Sequence, residues 1–259
     1  MNKKQQGFAH IGIMLLIIIS LAVVGIAGWR VMGVEKDNTN SEKNQMMAES
    51  KPATQANGED IELQNLGVAI EQVDVSLQAL RDFNSSGLKG FYVFGDALSG
   101  GRLNPNFEFS SLKSDTKVMA AIDGVVAFIR EQPDSGDSEV FIQPKEGSVW
   151  TVGYDHLVNV NVSKGDSVQA GDILGEPAVQ NNGLTRFEIQ INKDENGETT
   201  HFCPTTLLAE SVKNELTQQL TSMQQEWEAI SDFELYDIAS QSPVGCLSET
   251  MTPAQAEGR

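Results

Sequence analysis

Few residues in this chain could carry nucleophilic or metal chemistry. There are three histidines and two cysteines in 259 residues. His10 sits inside an apolar run near the N-terminus, far from any other donor. His201 lies close to Cys203, but two donors do not make a metal site, and His201 reads as a neutral surface imidazole. His156 lies in Gly153-Tyr154-Asp155-His156-Leu157, where an imidazole offers a titratable ring. The plain alternative to chemistry there is a turn held by hydrogen bonds, with Tyr154 packed beneath. Cys203 and Cys246 lie on the far side of the apolar run. An even pair in an oxidising compartment reads as a disulfide, worth about 4 kcal/mol in the chain-entropy picture. Two free buried thiols are the alternative.

Positioning such groups needs a folded core, and the composition allows one. Apolar residues make up 40% of the chain, ordinary for a globular protein. Acidic residues outnumber basic ones 36 to 18, for a formal charge of −18. That surface repels phosphate backbones, so nucleic-acid binding is excluded.

Phe8 to Trp29 contains His10 as its only ionisable residue. At about 1.5 Å per residue the run is about 33 Å long, enough to cross a bilayer core. Trp29 suits the interface, and Lys3 and Lys4 favour a cytoplasmic N-terminus. A cleaved signal peptide is the competing reading, but no small-x-small site follows a short apolar core. The organisation expected is therefore a cytoplasmic N-terminus (1–7), a transmembrane helix (8–29) and a flexible linker (30–60). Within the linker, Glu35 to Asp60 holds almost no branched aliphatic or aromatic residue, so it cannot offset its chain entropy by burial. Next comes an accessory segment (61–103) with mixed periodicity, where helix and strand both fit.

From Gly90 to Asn192 short β-favourable runs alternate with Gly and Asp turns. Lys117 to Arg130 places two runs around Asp123-Gly124, a dipeptide suited to a tight turn or bulge. Glu139–Gln143, Val149–Val152 and Arg186–Ile191 are further strands, and Lys193 to Gly197 reads as a loop. The fold class expected is mainly β, an antiparallel sandwich or barrel-like core over 104–203. Pro204 to Ile230 reads as an added helix, with Leu208, Val212, Leu216, Leu220, Met223, Trp227 and Ile230 on one stripe. Residues 204–247 form this helix and a disulfide-tethered segment, and 248–259 is expected to fray.

The order of motifs resembles the core of lysostaphin/LytM-type zinc peptidases, which cut peptidoglycan cross-bridges. The matching pieces are Val118 to Val126 (VMAAIDGVV), Gly153 to Leu157 (GYDHL), Val162 to Gly175 (VSKGDSVQAGDILG) and Arg186 to Ile191 (RFEIQI). The resemblance implies one zinc held by an H-x3-D motif and by the second His of a late H-x-H. Here the first motif falls on Asn104 and Glu108, the second on Leu184 and Arg186. An amide is a poor zinc ligand and a guanidinium has no free lone pair. Among the family's imidazoles only His156 remains. The expectation is a degenerate member with no catalytic zinc, no other cofactor, and an ion pair between Glu108 and Arg186 in place of the metal.

Three functions compete. The first is a single-pass protein of a bacterial cytoplasmic membrane, with an inactive extracytoplasmic domain that binds peptidoglycan or regulates a wall hydrolase. The second is an active zinc endopeptidase with atypical ligands such as Glu108, His156 and Glu188. The third is an envelope adaptor. Adaptors interpose long helical hairpins between half-motifs, and none lies between Val126 and Lys164.

Overall fold

Alternation along one long strand organises the molecule. Phe187, Ile189 and Ile191 are fully buried, while Arg186, Glu188 and Gln190 alternate onto the other face. The structure, a computed structural model, describes residues 60–86, 89–180 and 183–258. The expected cytoplasmic terminus, the apolar run 8–29 and all but the end of the linker lie outside them. Among the described residues no helix is long and apolar enough to cross a membrane.

Eleven strands form the sheet: β1 (Phe91–Tyr92), β2 (Phe107–Phe109), β3 (Val118–Met119), β4 (Gly124–Gln132), β5 (Asp137–Gln143) and β6 (Trp150–Val158), then β7 (Ser167–Val168), β8 (Ile173–Val179), β9 (Thr185–Glu195), β10 (Glu198–Phe202) and β11 (Thr250–Met251). Neighbouring strands run β1-β2-β9-β6-β5-β4-β7, all antiparallel. The fold is thus mainly β and antiparallel, with few helices. One face of β2, β9, β6 and β5 supplies the core through Phe107, Phe109, Phe187, Ile189, Val152, Tyr154, Val140 and Ile142. Burying a large side chain of this kind contributes about 2 kcal/mol or more.

Residues 61–73 return across this core. Leu63 bridges Leu208 and its N–H donates to the Leu207 carbonyl, so the accessory segment is tied to the C-terminal part. A 3₁₀ turn at Ile70–Gln72 and helix α1 (Leu77–Ser86) resolve the ambiguous stretch. The next helix, α2 (Glu210–Ile230), buries Leu220, Met223 and Trp227. Cys203 and Cys246 are disulfide-bonded across the segment that contains it.

Several sequence expectations need correction. Asp123-Gly124 joins no hairpin, because β3 pairs with β8 while β4 pairs with β5 and β7. Gly124 serves close approach instead: a Cβ there would stand 2.3 Å from the Gln143 carbonyl oxygen. The helix expected from Pro204 is a 3₁₀ turn at Pro204–Leu207, and α2 starts only at Glu210. Leu208 and Ala209 stay extended there, so that the Leu207 carbonyl accepts the Leu63 N–H and the Ala209 N–H donates to the Leu63 carbonyl. Lys193 to Glu195 continues β9, and the turn to β10 is only Asn196-Gly197, both with positive φ. The tail does not fray. β11 pairs with β10, Met251 is buried, and helix α3 (Pro253–Glu257) starts from a capping box of Thr252 and Gln255. His201 is buried, with Nδ1 2.7 Å from Asn192 Oδ1, and burial lowers its pKa, so it is neutral but not a surface group.

Candidate functional site

The polar face of the sheet carries a row of acids. Glu108 on β2 pairs in register with Glu188 on β9, which pairs with Asp155 on β6. Like charges opposite one another destabilise a sheet unless something neutralises them. Arg186, two residues before Glu188 on the same face, does so. Its Nε is 2.9 Å from Glu108 Oε1, and its Nη2 contacts Glu188 Oε1. The Nε–H is not aligned on the Glu108 oxygen, so that contact is ionic rather than a well-directed hydrogen bond. Ser110 Oγ donates to the same Glu108 oxygen at 2.9 Å.

His156 joins this row through a backbone irregularity. With strict alternation Asp155 and His156 would point to opposite faces. His156 instead has φ of 62°, and the β5–β6 register shifts between Ser138 and Val140. A left-handed residue inside a strand re-aims the side chains around it. Leu157 is thereby returned to the core, while the imidazole meets the acids. Its Nδ1 lies 2.7 Å from Asp137 Oδ2, and its Nε2 lies 3.4 Å from Glu188 Oε1 and 3.9 Å from Asp155 Oδ2. The His156 N–H donates to Asp155 Oδ1 at 2.7 Å, bracing the strained residue. Tyr154 is buried on the core face and accepts the Ala121 N–H through its hydroxyl.

Burial alone would lower the His156 pKa. Its contacts with Glu188 and Asp137 and the charge of Asp155 outweigh this and raise it to about 9, so the group is an imidazolium at neutral pH. Burial would raise Glu188, but His156, Arg186 and Asn106 hold it below the ordinary range. Burial raises Glu108, with the charge of Glu188 adding and Arg186 opposing. Farther along the row, burial and the charge of Asp155 push Glu139 up to about 7, against its Arg130 partner.

Glu108, Glu139, Asp155, Arg186 and Glu188 line a cleft of about 320 Å³ together with Asn104, Asn106 and Gly153. Asn104 does not face a metal. Its amide donates to the Val93 and Asn106 carbonyl oxygens at 3.2 and 2.9 Å and so holds the wall in shape. Asn106 donates to Glu188 Oε2. Leu184 is partly buried and packs on the core. A zinc ion held by positions 104, 108 and 186 therefore does not fit: one ligand position is an amide bonded to backbone, and another carries a cation against the third. Asp155, His156 and Glu188 form a different trio, with ligand atoms within 4.8 Å of one another.

Sequence reasoning named Asn104, Glu108, His156, Leu184, Arg186 and Glu188. It missed Asn106, Asp137, Glu139, Arg130 and the part played by Asp155. The odd Glu139 beside the apolar Val140-Phe141-Ile142 was the one visible signal for its position.

Residues 109–199 match the family model described as Peptidase family M23. The match begins one residue after Glu108. Similar solved structures include the catalytic domain of the antimicrobial peptidase lysostaphin from Staphylococcus simulans, at 21% identity over 41% of this chain and 79% of that one, with a TM-score of 0.33. Csd3 from Helicobacter pylori is 15% identical over 64% of this chain and 41% of that one, with a TM-score of 0.38. The SpoIIQ–SpoIIIAH pore forming complex gives 16% identity over 59% and 94%, with a TM-score of 0.39. Against the longer lysostaphin structure, the alignment covers 43% of that chain. No curated protein sequence matches.

Proposed function

We propose that this chain is a non-cutting M23 domain that holds cell-wall peptide in its cleft. It acts outside a bacterial cytoplasmic membrane, anchored by residues 8–29, and binds peptidoglycan or regulates a separate wall hydrolase. One observation carries the reading: the Arg186 guanidinium stands against Glu108 and Glu188, so fixed protein charge occupies the ground a metal would need. Without a metal nothing here polarises a peptide carbonyl or activates water, while the open polar face can still bind. The apolar run and the Cys203–Cys246 bond both support an extracytoplasmic setting.

The test combines three measurements on the full-length protein. Metal analysis is expected to find no stoichiometric zinc, a zymogram no clearing with or without chelator, and sedimentation with purified peptidoglycan clear retention. Absence of retention together with no effect on any wall hydrolase refutes the binding role. A second reading is favoured by the Asp155, His156 and Glu188 trio, whose imidazole is backed by Asp137 as metal-bound histidines commonly are. Stoichiometric zinc with chelator-sensitive clearing would establish that reading and overturn the first.

A further inference from the structure

The cleft and the His156–Asp137 pair beside it hold one acid more than bases. Glu108, Glu139, Asp155 and Glu188 line the cleft with Arg102, Arg130 and Arg186, and Asp137 and His156 back them. Arg102 is turned to Ser99, its Nε–H donating to the Ser99 carbonyl at 3.1 Å. Arg186 is committed to Glu108 and Glu188, and His156 to Asp137 and Glu188. Arg130, the ion-pair partner of Glu139, has a side chain 61% exposed, so solvent screens that pair. The deficit therefore lies at Glu139 and Asp155, away from the Glu108 end.

Three acceptors there are unfilled. Glu139 Oε1 accepts no hydrogen bond from the described residues, and it lies 3.7 Å from where a Cβ on Gly153 would stand. Asp155 Oδ2 has His156 Nε2 only at 3.9 Å, beyond hydrogen-bond reach. Asn106 is 6% exposed, and its buried Oδ1 has no partner although its amide nitrogen is bonded to Glu188. A buried acceptor left unmade costs roughly 1–3 kcal/mol, so its persistence at a cleft wall points to a donor that arrives from outside.

We infer that this cleft, lined by Glu139, Asp155 and Asn106, receives a primary ammonium group of a peptide above Gly153. An ammonium offers donors and no acceptor, the complement of acceptors that lack donors. It brings one positive charge. A divalent ion would bring two against the fixed Arg186 and imidazolium, and a cleft of about 320 Å³ is far larger than an ion needs. The neighbouring surface suits the carbon stem of an amine. Phe141 and Phe128 stack with centroids 4.0 Å apart, and Phe128 is 42% exposed. The Phe141 ring comes within 3.3 Å of a Cβ placed on Gly153, so glycine keeps the floor between shelf and acids open. The exposed Phe128 ring can take a stem of methylenes as apolar surface takes a lysine stem, while the Arg130 guanidinium stands 5.5 Å over the Phe141 ring.

This inference rests on the peptide-binding reading and names the chemistry recognised. Its test uses the full-length protein and a blocked Gly-Lys-Gly tripeptide, beside the same peptide acetylated at the lysine amine, by calorimetry at pH 7. The free-amine peptide is expected to bind at least roughly tenfold tighter, the weight of one charge-assisted hydrogen bond. Glu139→Gln should erase that preference while the circular dichroism spectrum stays unchanged. Equal binding of the two peptides, or binding of neither, overturns the inference whatever peptidoglycan retention shows. A preference abolished by chelator overturns it as well, since a metal would then fill the acceptors. Loss of peptidoglycan retention with the amine preference intact would instead overturn the wall-binding reading alone.

Discussion

Arg186→Leu is the sharpest test of the site. The substitution keeps an apolar group at the position and removes the charge that separates Glu108 from Glu188. Those residues are cross-strand partners, with side chains starting roughly 5 Å apart. Two carboxylates at that separation repel by roughly 3 kcal/mol at the effective dielectric suited to such sites. His156 still neutralises part of Glu188, and either acid can take up a proton, which caps the cost. The Arg186 side chain is 34% exposed, so solvent screening trims it further. A loss of about 2–3 kcal/mol is expected at pH 7 from urea unfolding followed by circular dichroism. The penalty should shrink below about pH 5, where the carboxylates protonate without help. Glu108→Gln in the same background should recover at least about 1 kcal/mol, because it removes one repelling charge. A single variant within about 0.5 kcal/mol of the parent, or strictly additive effects in the pair, would refute the argument that Arg186 stands in for a metal.

Other outcomes follow from the same geometry. The raised pKa of His156 means that its contribution is complete below about pH 6.5 and lost as pH rises through about 9. Unfolding free energies from urea titration should fall across that window by up to about 3 kcal/mol, and His156→Gln should flatten the fall, whereas an unchanged slope would place the titration elsewhere. Glu139, raised to about 7, acts in the same direction between about pH 4.5 and 7, so Glu139→Gln should remove the lower part of the slope. Asn104→His combined with Arg186→His should create a zinc site with Glu108, read as one equivalent of metal in elemental analysis and a zinc-dependent rise in Tm. Absence of bound zinc would refute the carry-over of the family's zinc positions onto 104, 108 and 186. Reduction of Cys203–Cys246 opens a loop of 43 residues and should cost about 4 kcal/mol, checked by unfolding with and without reductant.

What could be read in the sequence was what depends on order and local pattern. The four motifs, the alternation of Arg186 to Ile191 and the even cysteine pair each leave a one-dimensional trace. Opposing Arg186 to Glu108 needed only a motif carried over by position. The hidden parts depend on breaks in pattern. Nothing in Gly153 to Leu157 announces that His156 adopts a left-handed backbone, and that single torsion brings Asp155 and His156 to one face. Gly124 was read as a turn residue because Asp-Gly favours turns. Its real reason is the approach of the Gln143 carbonyl, a contact across strands. The tail looked frayed because Ser248 to Arg259 is polar overall, yet Met251 alone is enough to anchor it once β10 offers an edge.

The disulfide has a consequence for the far end of the cleft. Cys246 bridges Phe94, with the Phe94 N–H donating to the Gly245 carbonyl and the Leu247 N–H to the Phe94 carbonyl, each at 2.9 Å. The same arm of chain carries Asn104, whose backbone bonds to Gly95 and Asp96, and then Asn106. Cys203 fixes the other side of this clasp at the end of β10. Oxidation thus fastens a strap across the arm that bears the cleft wall. A copy held in a reducing compartment would keep its sheet but hold Asn104 and Asn106 slackly. The shape of this wall thus depends on the redox state of the chain's surroundings.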